Sequence, residues 1–187
     1  MWEANQLRHG LRLPMIAAPM FLVSSPELVV AACRAGIVGA FPAPSCRTAA
    51  DLEDWMGRIT DSLARAATDE PAVRIGPWAA NLVAHSSYKR FPEELDLVTQ
   101  YRPPIVITAL GSPRAVVERV HEFGGLVFAD VNNIAHARAA AAVGVDGLVL
   151  VCAGAGGHTG QISPFAFVPA VRKFFDGLIV VAGSVTD

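Results

Sequence analysis

Seven short apolar runs alternate with six helical patterns along this 187-residue chain, and that alternation limits its possible folds more than any other feature. The runs lie at residues 15–18, 37–41, 73–81, 105–109, 126–131, 147–151 and 178–182. Most are rich in Val and Ile without polar alternation, as expected of strands buried on both faces. Helical patterns fall at 26–34, 48–66, 92–101, 113–122, 133–143 and 165–175. Three of them open on Ser25-Pro26, Ser112-Pro113 and Ser163-Pro164. Serine can accept from the free N–H groups of a first turn, and proline suits the first helical position. Gly36, Pro103-Pro104, Gly124-Gly125, Gly144 and Gly177 stop one element before the next strand.

Strict alternation predicts a parallel sheet with right-handed crossovers. Two architectures meet that description, an open doubly wound sheet and a (β/α) barrel. The doubly wound nucleotide-binding form carries a glycine-rich turn after its first strand. Here that turn is Ala18-Pro19-Met20-Phe21-Leu22-Val23-Ser24, without glycine. The glycines come after the sixth strand, where barrel enzymes often place ligand loops. The expectation is therefore an α/β fold, a TIM-type (β/α) barrel that stops after its seventh strand. Residues 1–187 are expected to form one domain without an eighth strand or a C-terminal lid.

Composition agrees with a wrapped sheet. Hydrophobic residues make up 52% and charged residues 17%, so apolar segments need cover on most sides. A formal charge of −2 argues against electrostatic nucleic-acid binding. No apolar run approaches the roughly 20 residues of a spanning helix, and the first ten residues lack a signal peptide's apolar centre. The expectation is no membrane partner and a cytoplasmic location. Cys33, Cys46 and Cys152 form no CxxC pair, which suits a reducing compartment.

Residues 146–164 carry the clearest chemical signal. A buried run enters a loop containing Gly154, Gly156, Gly157 and Gly160, with His158 among them. Small side chains let backbone N–H groups reach a ligand, and imidazole exchanges protons near neutral pH. The competing reading is a flexible turn with a solvated histidine. The loop's position after a core strand and ahead of a helix start favours a ligand site. Gly154 and Gly156 match two positions of a dinucleotide fingerprint, but Thr159 occupies the third.

Asn81 ends the third apolar run and is a candidate for binding a heteroaromatic ring, with a turn-forming asparagine as the alternative. Asp130 and Asn132 close the fifth run as ligand contacts or as a helix cap, and capping is the favoured reading. Cys152 reads as core. His9, His85, His121 and His136 lack metal-ligand spacing, so no metal is assigned. Pro19-Met20 after the first strand could wall a flat ring.

Four elements in order then resemble a known family: Ala17-Ala18-Pro19-Met20, Asn81, Ala155-Gly156-Gly157-His158-Thr159-Gly160, and Ala182-Gly183-Ser184. They are similar to the nitronate monooxygenases, formerly 2-nitropropane dioxygenases. The resemblance implies an FMN-binding (β/α) barrel that oxidises alkyl nitronates with molecular oxygen to a carbonyl compound and nitrite. Its partners would be a small nitro compound and oxygen, with a homo-oligomer compatible. By the same resemblance His158 is the active-site histidine. Pro19, Met20, Asn81, Gly156 and Gly157 lie around the flavin, and Gly183 and Ser184 begin its phosphate site. Val151 stands where many members have a flavin-contacting glutamine. A flavin-dependent enoyl-acyl-carrier-protein reductase and a non-catalytic barrel remnant are the rival readings.

Overall fold

The structure is a computed structural model that describes Leu7 and residues 9–183. Its strands are β1 (Ile16–Ala17), β2 (Val38–Pro42), β3 (Trp78–Val83), β4 (Ile105–Ala109), β5 (Leu126–Val131), β6 (Gly147–Val151) and β7 (Leu178–Ala182). Between them run α1 (Pro26–Arg34), α2 (Ala49–Asp69), α3 (Phe91–Tyr101), α4 (Arg114–Glu122), α5 (Ile134–Ala142) and α6 (Pro164–Arg172). No helix among the described residues is long and apolar enough to cross a membrane.

Every strand pairs in parallel with the next one in sequence, so the sheet order is β1-β2-β3-β4-β5-β6-β7. A doubly wound sheet would reverse direction partway, putting helices on both faces. Unidirectional order with right-handed crossovers puts every helix on one face and curls the sheet into a barrel wall. Two apolar clusters follow from the curl. The larger packs Phe41, Ala80, Val106, Val127 and Leu148 of the strands against Leu52, Met56, Val116 and Phe167 of the helices. The smaller takes strand residues of the opposite parity, including Ala40, Ala79, Ile107, Phe128 and Val149, with Leu7. That second set is the concave face. Among the described residues β1 and β7 do not pair, and the barrel is open between them.

Several boundaries differ from the sequence expectation for local reasons. The third strand begins at Trp78, not at residue 73, and runs on to Val83. Pro77 has no N–H to give a ladder, and Gly76 turns aside to donate to the carbonyl of Cys33 at 2.8 Å. Asn81 is therefore inside β3 and does not close it. The first strand shrinks to two residues between Pro14 and Pro19. Of the three Ser-Pro starts, Ser25 accepts from Leu28 N–H as expected. Ser163 caps α6 by backbone position alone, and the N-cap of α4 is Pro113.

Candidate functional site at the C-terminal mouth

Because all strands are parallel, residues that follow their C-terminal ends share one mouth. The β1–α1 turn is shaped by buried Ser24, whose hydroxyl donates to the carbonyl of Ala18 and accepts from Met20 N–H at 2.9 Å. Pro19 is half-buried, and Met20 is 41% exposed at the head of an apolar stretch with Phe21, Leu22 and Val23. Asn81 continues the concave parity of Ala79 and is buried, its Nδ2 donating to the carbonyl of Ile107 at 3.3 Å. Asp130 continues the parity of Phe128 on β5.

The glycine loop after β6 is not a slack turn. Thr159 Oγ1 donates to the carbonyl of Cys152 at 3.2 Å, and Ala153 N–H donates to the carbonyl of Ile162 at 3.0 Å. Gly154 and Gly157 take φ of +83° and +73°, a region costly for other residues. A Cβ on Gly160 would lie 2.1 Å from the carbonyl oxygen of Val151. Gly183, at φ +111°, leaves β7 against the same loop, where a Cβ would stand 2.6 Å from Ala155 N. Close backbone approach therefore dictates glycine at 160 and 183. At Gly156 and Gly157 an added Cβ meets nothing within 4 Å. Those two glycines border open space. Ser184 lies outside the described residues.

His158 is exposed on this loop, and among the described residues no hydrogen bond engages its ring. It faces a cavity of about 430 Å³ across the ends of β4, β5 and β6. Asp130, His136, Ser112, Thr159 and Val151 also line that cavity. Burial pushes the Asp130 carboxyl up to about 7. The structure therefore brings His158 together with a carboxyl group that the sequence reading had preferred as a helix cap. The cap is instead Asn133, whose side chain accepts from His136 N–H at 2.8 Å. His136 had no assigned role in the sequence, yet it reaches the cavity wall from the first turn of α5. A single chain of residues could not say which side chain capped and which faced the cavity.

Of the site residues read from the sequence, His158 lines this cavity, whereas Pro19, Met20, Asn81, Gly156, Gly157 and Gly183 lie outside its lining. The cavity volume falls in the usual range for ligand sites of a few hundred Å³. The open space beside Gly156 and Gly157 leaves room for a ring against backbone, and Asn81 adds an amide on the concave wall.

The family model for nitronate monooxygenase matches residues 5–187. The chain is 30% identical over 191 residues to the nitronate monooxygenase of Paraburkholderia phytofirmans, covering 88% of this chain and 52% of that protein. It is 25% identical over 178 residues to the (3aS,4S,5R,7aS)-5-hydroxy-7a-methyl-1-oxo-octahydro-1H-indene-4-carboxyl-CoA dehydrogenase of Rhodococcus jostii, covering 95% of this chain and 46% of that protein. The nitroalkane oxidase of Streptomyces ansochromogenes superposes with a TM-score of 0.81 at 21% identity, over 98% of this chain and 61% of that one. This chain spans about half the length of the curated relatives it matches. The match runs through the strand ends and the glycine loop that build the mouth, and by it the chain belongs to the nitronate monooxygenase family.

Proposed function

We infer that this chain forms the flavin-binding and substrate-binding wall of an FMN-dependent oxidoreductase acting on alkyl nitronates or nitroalkanes with molecular oxygen. The observation that carries the reading is His158. It is an exposed imidazole without a hydrogen-bond partner among the described residues, set between glycines that leave open space beside it, on the mouth of a (β/α) barrel. The small-molecule partners would be the nitro compound and oxygen, and the assembly a homo-oligomer.

FMN, when bound, supplies two-electron redox chemistry and reactivity toward oxygen. The remaining work falls to side chains and backbone. Asn81 and the backbone of Pro19-Met20 would flank the ring. Gly156 and Gly157 would let it approach the loop backbone, and Gly183 with Ser184 would lead to its phosphate. His158 Nε2 or Nδ1 takes the α-proton of a neutral nitroalkane. With a pre-ionised nitronate the proton is already gone, and the imidazole only orients the anion.

Two measurements test this. The purified chain, saturated with FMN and desalted, should keep a flavin spectrum. His158→Ala should then lower turnover of a neutral nitroalkane by roughly 10²-fold or more, with a smaller loss for the nitronate, as removal of a general base predicts. A flavin-loaded His158→Ala protein that oxidises both forms as well as the parent does would dismiss the base assignment. Rapid NADH-driven flavin reduction with an enoyl thioester as acceptor would favour the reductase reading instead.

A further inference from the structure

Asp130 is a carboxyl group in a cavity wall with nothing among the described residues to balance its charge. No hydrogen bond or ion pair from the described residues reaches its oxygens. Asp146 provides the contrast: it accepts from Val127 N–H at 2.8 Å and contacts His121 at 2.9 Å. Nor does Asp130 hold α5, because Asn133 performs that capping. A half-buried carboxyl group without a partner costs stability and gives none back through structure. It stands on the concave parity of β5 and lines the cavity that His158 also lines. Its neutral form persists to about pH 7, because burial raises its pKa to that value.

We propose that Asp130 is a substrate-binding residue that, as a neutral carboxylic acid, donates its O–H to one oxygen of a planar oxyanion, and that repels the same anion once ionised. A nitronate and an enolate share that chemistry. The inference rests on the reading of this cavity as the substrate site.

The titratable groups facing Asp130 in this cavity are His158 from the β6–α6 loop and His136 from α5. The β4–α4 loop adds Leu110, Gly111 and Ser112, and among the described residues neither lysine nor arginine lines the space. The His136 ring is in contact with Asn132 and Asn133. A histidine losing its positive charge would also weaken anion binding as pH rises. A substitution at Asp130 itself is therefore needed to separate the contributions.

The test uses the whole chain with nitrate, a planar oxyanion that carries no transferable carbon-bound proton. Carbon-13 carboxyl NMR should show Asp130 titrating near neutrality, with nitrate moving its midpoint upward, since a ligand that selects the protonated form must raise that pKa. Nitrate affinity should weaken roughly 30-fold between pH 6 and 8.5, and Asp130→Asn should remove most of that slope while still binding. An Asp130 midpoint that nitrate leaves unmoved or lowers would overturn the proposal, even if the variant folds poorly. So would an equally steep pH dependence in a folded Asp130→Asn protein. None of these measurements needs flavin. Loss of FMN from the parent chain therefore counts against the proposed function, and the Asp130 titration counts for or against this inference.

Discussion

Gly156 and Gly160 share one loop and meet opposite constraints. At Gly160 a side chain collides with the carbonyl oxygen of Val151, whereas at Gly156 it points into open space. Gly160→Ala should therefore destabilise the protein by about 2 kcal/mol or more, the scale of overpacking against backbone that cannot yield. Gly156→Ala should leave thermal stability within about 0.5 kcal/mol of the parent and, on the flavin site proposed above, weaken FMN binding. Melting curves with and without FMN separate the two effects. Asp130 supplies a second residue-level expectation with a defined sign. Its folded pKa is raised above the unfolded value, so the native state holds the proton more tightly between about pH 4 and pH 7. Stability is lost as pH rises through that window. Asp130→Asn should consequently be more stable than the parent by about 4 kcal/mol at pH 8, with little gain at pH 4. Urea unfolding at the two pH values measures the difference.

Among the elements, the connection from β3 into α3 rests on a buried polar cluster that no sequence pattern signals. Glu94, in the first turn of α3, is fully buried. It accepts from the hydroxyl of Tyr88 at 2.8 Å, and its Oε1 lies 2.9 Å from Arg90 Nη2. That contact is an ion pair without hydrogen-bond alignment, for Arg90 Nη2 lacks a hydrogen-bond partner among the described residues, as does the other carboxylate oxygen, Glu94 Oε2. Arg90 Nη1 donates to the carbonyl of Cys46 at 2.8 Å, tying this connection to the segment after β2. Burial pushes the Glu94 carboxyl up, opposed by the Tyr88 hydrogen bond and the Arg90 charge. Arg90→Met should cost about 3 kcal/mol at pH 8, because it strands a buried carboxylate. The deficit should shrink as pH falls and Glu94 takes up a proton, which denaturation at two pH values will reveal. A glutamate in a first helical turn reads as an exposed partner of the helix dipole. Only packing against the preceding loop puts this one inside.

At the scale of the molecule, the seam between β1 and β7 is the dominant feature. Every residue of β7 is half-buried, whereas β2 is buried throughout. Among the described residues this edge is unpaired and carries apolar residues on its concave side, and such an edge is a template for association. Sedimentation velocity should show self-association of this chain that grows with concentration. Val180→Lys, which puts a charge on the concave side of β7, should reduce it. A monodisperse monomer over a wide concentration range would contradict this expectation.

The order of elements and the parallel sheet were legible in the sequence, because a strand buried on both faces needs an unbroken apolar run and a glycine or proline stands between each helix and the next strand. The glycine loop was legible for a related reason, since backbone that approaches backbone within 3 Å of a would-be Cβ admits no other residue, as at Gly160 and Gly183. The start of β3, the partnerless state of Asp130 and the burial of Glu94 were decided by tertiary structure alone. Whether a carboxyl group caps a helix, pairs with an arginine or faces an open cavity depends on which atoms from distant strands and loops surround it, and local sequence does not encode that neighbourhood.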